Sequence, residues 1–120
     1  MMNLNKSLES VQEIVAEFAK ERDWDQFHSI KNLSMALGVE VSELMEFFQW
    51  SNGEKDINEV LSHKREKIED EMIDIFIYWL RLATKMDLDI DAAFERKFGE
   101  NQKKYPAEKV RGSSKKYSDY

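Results

Sequence analysis

Four carboxylates lie at the margins of apolar helical stripes, where acids are rarer than on a solvated face. Glu40 and Glu43 share one segment, and Glu71 and Asp74 share another. Each pair has i, i+3 spacing, which stacks both side chains on one flank of a helix about one turn apart. At about 100° per residue, Glu71 lies about 40° from Ile75 in the centre of its apolar stripe. The pattern indicates two acidic flanks beside one core.

Two acidic flanks that face each other would form a cluster of four carboxylates. Such a cluster raises its own pKa values by mutual repulsion unless a cation neutralises it. Mg²⁺ prefers oxygen ligands, and Mn²⁺ can substitute for it. We therefore predict a Mg²⁺ site whose ligands, and catalytic residues, are Glu40, Glu43, Glu71 and Asp74.

An ordinary structural explanation of these acids remains open on spacing alone. Charged residues make up 35% of the chain, so acid pairs one turn apart arise by chance. In that case the carboxylates extend to water or form salt bridges with Lys64, Lys67 or Arg81.

The elements that position these acids are predicted to be helices, since the chain contains only one proline and four glycines. Apolar residues recur at spacings of three and four from Leu8 to Phe18, and this first helix ends in the segment 21–24. Ser29 is the predicted N-cap of a second helix, which ends at residues 51–53.

Two further helices are predicted in the second half of the chain. Asp56 opens a capping box for the third helix, which extends to Met86. The fourth helix starts at Asp89 or Asp91, and Pro106 closes it. We find no clear strand. Four helices with short connections predict an all-α fold, a four-helix antiparallel bundle.

We expect one domain over residues 1–106, followed by a flexible polar tail over 107–120. The sequence between Met72 and Leu82 is apolar on nearly every side, and such a helix needs neighbours on every side. One chain supplies too few, so we expect a homodimer or homotetramer to complete the bundle. The large side chains that we assign to the core include Trp79, Met35, Met45 and Met72.

The composition limits the classes of function. The chain has 120 residues and a formal net charge of −6, which suits one domain and argues against binding a nucleic acid polymer. It has no cysteine, which excludes disulfides, thiolate zinc sites and a cysteine nucleophile. Residues 1–6 lack the apolar run of a signal peptide, and no segment is apolar enough to span a membrane. We expect a soluble, cytoplasmic protein.

The acidic positions resemble the signature of the MazG-like, all-α nucleoside triphosphate pyrophosphohydrolase superfamily, which is EExxE, a spacer and ExxD. The second half is intact from Glu71 to Asp74. In the first half Val39 replaces the first glutamate, while Glu40 and Glu43 match the others. This form resembles the branch that includes dCTP pyrophosphatases. The resemblance covers about residues 8–106, and its further matching runs are 21–28, 31–33, 43–50, 74–80 and 97–106.

The resemblance implies hydrolysis of a nucleoside triphosphate between the α and β phosphates, with magnesium, to the monophosphate and pyrophosphate. Such an enzyme removes unwanted nucleotides from the cellular pool, and dCTP or a modified nucleotide is the favoured substrate. The four acids would then hold the metal. One of them would serve as the base, for which we prefer Glu43 without excluding the others.

The resemblance also directs attention to side chains that would hold the rest of a nucleotide. Indole faces stack on bases and an imidazole can hydrogen-bond a base edge, so Trp24, His28 and Trp50 are candidates for the base pocket, with Phe47 beside them. Tyr78 follows Asp74 by about one helical turn and is a candidate for the sugar or a phosphate. On the fourth helix the candidates for the phosphates are Lys97 and Asn101, and more weakly Lys104 and Tyr105.

Two other functions compete with this one. A phosphoribosyl-ATP pyrophosphohydrolase shares the helical core, although the density of aromatic residues favours recognition of a base. A helical interaction module without activity would carry its acids on the surface only.

Overall fold

The computed structural model describes residues 7–119, and every regular element in this range is helical. Helices and 3₁₀ turns account for 78% of the described residues, and no strand occurs among them, which confirms the all-α class. Residues 1–6, for which we expect no signal peptide, and residue 120 at the end of the predicted tail lie outside this range. The described chain consists of two units, residues 7–87 and 88–119.

The first unit opens with two helices that start at serine caps. Helix α1 spans Leu8–Glu21, a 3₁₀ turn spans Asp25–Phe27, and helix α2 spans Ile30–Glu46. The hydroxyl of Ser29 accepts a hydrogen bond from the backbone N–H of Asn32 at 3.0 Å. This confirms Ser29 as the N-cap of α2, because it satisfies an N–H that has no partner within the helix.

The junction between the second and third helices differs from the prediction. Helix α2 ends before residues 51–53, because backbone N–H groups from Phe47 onwards bond to carbonyls three residues back. Helix α3 spans Glu54–Lys85 and starts two residues before Asp56. The Asp56 carboxylate instead accepts the backbone N–H of Asn52 at 2.9 Å, so it ties the loop to the first turn of α3.

Helix α3 is the long element against which the others in this unit pack. It lies along α2 and, over a shorter length, against α1. Its backbone departs from helical geometry at Lys64, with φ −120° and ψ 16°, so a kink separates its first ten residues from the rest. It ends with Met86 as its C-cap, as predicted, and Asp87 follows with a φ of 51°.

The second unit contains helix α4, Ile90–Lys104, and the short helix α5, Ala107–Val110. The Asp89 carboxylate accepts the backbone N–H of Ala92 at 3.1 Å, which decides between the two predicted starts of α4. Pro106 follows the end of α4. The polar segment after it, which was predicted to be a flexible tail, contains α5 and a 3₁₀ turn at residues 117–119. Its flexibility stays a prediction.

The buried core of the first unit is small. Its apolar members are Val11, Ala19, Leu33, Ile68, Leu80 and Ala83. The assignment of four large side chains to the core was wrong for the single chain: Trp79 is 39% exposed, and Met35, Met45 and Met72 are more than half exposed. Periodicity marks apolar faces but does not show whether the chain itself covers them. These faces are left uncovered within one chain.

No helix in the described range is long and apolar enough to cross a membrane.

Candidate active site

Three of the four predicted acids meet where α2 packs against α3. Glu40, Glu43 and Glu71 each offer one carboxylate oxygen, and these oxygens lie within 4.8 Å of one another. All three side chains are half-buried. Their approach follows from the predicted flanks, since the i, i+3 pair of α2 faces the first acid of the α3 pair. Asp74 lies outside this triplet.

The geometry of this cluster is electrostatically strained for ionised acids. The buried oxygens Oε2 of Glu40 and Oε2 of Glu71 have no hydrogen-bond partner among the described residues. Two ionised carboxylates can only accept, so neither satisfies the other. If Glu40 is protonated it can donate to Glu71, and this hydrogen bond is the main reason why the pKa of Glu40 rises to about 8. Burial and the neighbouring Glu43 raise it further.

Such a donor set fits a hard divalent cation. Buried carboxylate oxygens without partners are costly unless a positive charge or a proton satisfies them. Mg²⁺ is bound by one or two carboxylates together with waters and substrate phosphates, which three clustered glutamates can accommodate.

A cavity of about 270 Å³ adjoins the acidic cluster. Glu40 belongs both to the cluster and to the lining of this cavity. Asp74 and Tyr78, four residues apart on α3, line it as well, so they face the same space as Glu40. The remaining lining residues come from α1, the 3₁₀ region and α3: Val15, Phe18, Ala19, Trp24, His28, Ile77 and Arg81.

One wall of the cavity is aromatic. The ring of Trp24 meets that of Phe18 edge to face, with centroids 5.7 Å apart, and lies 6.3 Å from the ring of His28. The Arg22 guanidinium carbon lies 3.7 Å from the centroid of the Phe18 ring, a cation–π contact. The structure therefore places two candidate base-pocket residues, Trp24 and His28, on the wall of the same cavity as two of the acids.

A family model described as the MazG-like family matches residues 35–120 of this chain. The chain belongs to the MazG-like family. It is 40% identical to dCTP pyrophosphatase 1 of Homo sapiens over 114 residues, which cover 94% of this chain and 67% of that protein. It is 41% identical to dCTP pyrophosphatase 1 of Bos taurus over 114 residues, 94% of this chain and 68% of that protein.

A solved structure supports the same relationship. The crystal structure of a pyrophosphatase from Archaeoglobus fulgidus matches this fold with a TM-score of 0.79 at 33% identity. The match covers 88% of this chain and 98% of that one. The resemblance that the signature acids indicate is therefore confirmed at the level of the MazG-like family.

Two aromatic residues predicted for the base pocket of this MazG-like chain do not line the cavity. Phe47 and Trp50 lie in the turn that follows α2. Phe47 is half-buried, whereas Trp50 is 83% exposed. Helix α2 ends at Glu46, so neither residue continues its helical flank.

The predicted phosphate-binding residues lie in the second unit, on or directly after α4. Lys97 is mostly exposed and its Nζ lies 3.9 Å from a carboxylate oxygen of Glu100. Asn101 is half-buried, and its carbonyl accepts the backbone N–H of Tyr105 at 2.9 Å. Lys104 lies 5.6 Å above the ring of Tyr117. Their role toward phosphates stays a prediction.

Sequence reasoning considered Arg81 only as a salt-bridge partner of the four acids and missed its place in the site: it is 5% exposed and lines the cavity. Its Nε donates to Nδ1 of His28 at 3.1 Å, and its Nη2 donates to Oδ1 of Asp25 in an ion pair. The Nζ of Lys85 lies 3.5 Å from the same Asp25 oxygen. A signal was present in the spacing: Arg81 follows Asp74 by seven residues, so both project from one flank of α3.

The environment favours the neutral form of the histidine in this group. Burial lowers the pKa of His28, and the positive charge of Lys85 lowers it further. Burial also lowers the pKa of Arg81, but a guanidinium starts high enough to remain ionised. The 3₁₀ turn is thereby attached to α3 through one buried cation.

Proposed function

We propose that this chain hydrolyses a deoxynucleoside or nucleoside triphosphate, with magnesium, to the monophosphate and pyrophosphate. The observation that carries the proposal is the double role of Glu40, which belongs to the acidic cluster and also lines the aromatic cavity. A ligand that spans both needs a polyanionic end for the cation and a flat apolar end for the cavity. A nucleotide has both.

The size of the cavity suits only one part of the substrate. Pockets that enclose whole drug-sized ligands have about 300–1,000 Å³. A cavity of about 270 Å³ suits a base and part of its sugar, which leaves the triphosphate outside, beside the acids. We propose dCTP or a modified nucleotide as substrate, because the relatives from Homo sapiens and Bos taurus are named dCTP pyrophosphatase 1.

Glu40, Glu43 and Glu71, with Asp74 from the cavity wall, would hold Mg²⁺, or Mn²⁺ in its place. When bound, the cation screens the triphosphate and lowers the pKa of a water nucleophile. The protein's own residues orient the substrate: the Trp24 indole offers a stacking face, and the Tyr78 hydroxyl offers a hydrogen bond near the acids.

The base that accepts a proton from water would be a carboxylate of the cluster that is not fully engaged by the metal. We prefer Glu43 for this role, because Glu40 and Glu71 each carry a buried oxygen without a hydrogen-bond partner, which a cation would satisfy. We further propose that the active form is a homodimer or homotetramer. Phe47, Trp50 and the residues of α4 can then contribute across a subunit boundary.

Product analysis tests the proposal. With dCTP and Mg²⁺, we expect dCMP and pyrophosphate in equal amounts, and no dCDP. Release of dCDP and phosphate would contradict cleavage between the α and β phosphates.

A thermal melt tests the non-enzymatic alternative. Mg²⁺ plus nucleotide should raise the melting temperature of an enzyme by mass action, whereas the melting temperature of an interaction module should not change.

A further inference from the structure

We infer that Arg81 is a positioning residue that fixes the tautomer of His28, so that the imidazole presents a hydrogen-bond donor, Nε2–H, to the base in the cavity. The identity of the ligand, a nucleobase, rests on the proposed function. The tautomer of His28 rests on geometry alone. It assigns to the base a hydrogen-bond acceptor, either a carbonyl oxygen or an unprotonated ring nitrogen, on the edge that meets His28.

The direction of one hydrogen bond decides the tautomer. The Nε of Arg81 lies 3.1 Å from Nδ1 of His28. A guanidinium has five N–H donors and no acceptor, so Nδ1 must be the acceptor and carries no proton. A neutral imidazole with a bare Nδ1 has its proton on Nε2. His28 lines the cavity, and Nε2 is the ring nitrogen that remains for a ligand.

The guanidinium is itself held in place. Arg81 is 5% exposed, and its ion pair with Asp25 engages a second nitrogen of the guanidinium, Nη2. Asp25 belongs to the same 3₁₀ turn that His28 closes, since the backbone N–H of His28 bonds to the Asp25 carbonyl at 3.1 Å. One planar guanidinium, that of Arg81, therefore contacts both the His28 ring and the 3₁₀ turn that precedes this ring.

Burial and the positive charge of Lys85 favour the neutral form of the ring, and the contact with Arg81 favours it too. Arg81 and Lys85 on α3 are cations, Asp25 in the turn is an anion paired with both, and Glu40 and Asp74 line the same cavity. An imidazolium would place Nδ1–H against the Nε–H of Arg81. A fixed neutral ring offers the ligand one donor and no acceptor, so it rejects an amino group at the same position.

Nitrogen-15 NMR of the imidazole rings measures the tautomer directly. The chain has only two histidines, so His63, which is exposed and bonds through Nδ1 to the Glu59 carbonyl at 2.8 Å, serves as the internal reference. We expect protonated Nε2 and bare Nδ1 at His28 near pH 7. A protonated Nδ1 at His28 would overturn the inference.

The variant Arg81→Lys separates positioning from simple charge. A lysine can still pair with Asp25, but its ammonium lacks the planar, fixed N–H groups with which a guanidinium bonds Asp25 and His28 together. We expect the His28 signals to shift toward a mixture of tautomers, with an increase of about tenfold in KM for dCTP and a smaller change in kcat, as expected for lost ground-state binding. The Lys85→Met variant keeps Arg81 and should retain the single tautomer.

The other outcomes of the Arg81→Lys experiment also decide whether the inference holds. An Arg81→Lys protein that keeps the Nε2–H tautomer, or one that loses it without a rise in KM, would overturn the inference. If Arg81→Lys is poorly folded, Arg81→Gln replaces it: its amide can donate to Nδ1 or accept a proton from it, so a mixture of tautomers is expected, and a single Nε2–H tautomer would overturn the inference. The NMR measurement needs no turnover. An inactive wild-type chain would therefore contradict the proposed function, while the tautomer of His28 would still be measured.

Discussion

At the scale of single residues, the acidic cluster contains more negative charge than its surroundings can neutralise. Glu40 and Glu71 each direct one buried oxygen to a place without a donor. A proton or a cation satisfies these oxygens, and each alternative has a measurable consequence.

The first prediction concerns the α3 acid of the cluster. Glu71→Gln should reduce turnover by more than about 100-fold, because even changes in the groups around metal ligands typically cost 10–100-fold. The fold should be retained, since the change removes a repelled charge. Activity and circular dichroism measured on the same sample check this. Glu69→Gln, at an exposed position paired with Arg65 on the same helix, is the matched control.

Full activity in Glu71→Gln would remove Glu71 from the mechanism. Equal loss in the Glu69→Gln control would instead indicate a general effect of charge on α3.

The second prediction concerns pH in the metal-free protein. Folding raises the pKa of Glu40 from 4.5 to about 8, so between these values the folded state holds a proton that the unfolded state has lost. The stability contributed by this proton is complete below pH 4.5 and disappears as the pH rises through about 8. With excess chelator, the melting temperature should therefore fall over this window.

Glu40→Gln supplies the control for this effect, since it removes the titrating group. Its melting temperature in chelator should depend less on pH, and at pH 8 it should exceed that of the parent. An identical pH profile for both proteins would contradict the shifted pKa.

Much of the residue-level prediction rests on spacing. The angular positions of Glu40 and Glu71 beside apolar stripes predict that they come together, because helical geometry fixes which side chains share a flank. The role of Arg81 was not predictable in the same way. Its partners Asp25 and His28 lie in a 3₁₀ turn more than fifty positions away, and no periodicity reports such a contact.

At the scale of elements, the helix starts are determined by local chemistry. Ser29 and Asp89 accept backbone N–H groups at the beginnings of α2 and α4, where both were predicted. The end of α2 was misplaced, because its apolar pattern continues to Phe48 while the backbone has already tightened into a turn. A capping side chain predicts a helix boundary more reliably than the end of an apolar pattern does.

The third prediction tests the cap that precedes the cavity wall. Ser29→Ala should destabilise the protein by about 1 kcal/mol, because the N–H of Asn32 loses its acceptor. Denaturant unfolding followed by circular dichroism measures it. Ser34→Ala is the matched control: its exposed hydroxyl donates to the Lys31 carbonyl within α2 and caps no helix end, so its loss should change stability by less than about 0.5 kcal/mol. Equal effects of both changes would argue against the cap.

At the scale of the whole molecule, the single chain leaves large apolar surfaces uncovered. On α3 the side chains of Met72, Ile73 and Trp79 are 56%, 50% and 39% exposed. The sequence indicates this feature, since residues 72–82 are apolar on nearly every side, but it does not show which surface covers them. We expect a protein interface to cover these side chains, since large exposed apolar patches mark such interfaces.

The fourth prediction is therefore an assembly. At micromolar concentration, sedimentation should give the mass of a homodimer or homotetramer, and Ile73→Asp should shift the protein to smaller species because it places a charge on the apolar face. A wild-type chain that sediments as a monomer would contradict the prediction.

The most direct test of the central claim, a magnesium-dependent nucleotide pyrophosphohydrolase, is pyrophosphate release from the eight common ribo- and deoxynucleoside triphosphates, with Mg²⁺ and again with excess chelator. We expect release with Mg²⁺ only, and faster release from dCTP than from the other seven. Absence of release from all eight, in protein shown to be folded and assembled, would contradict the central claim.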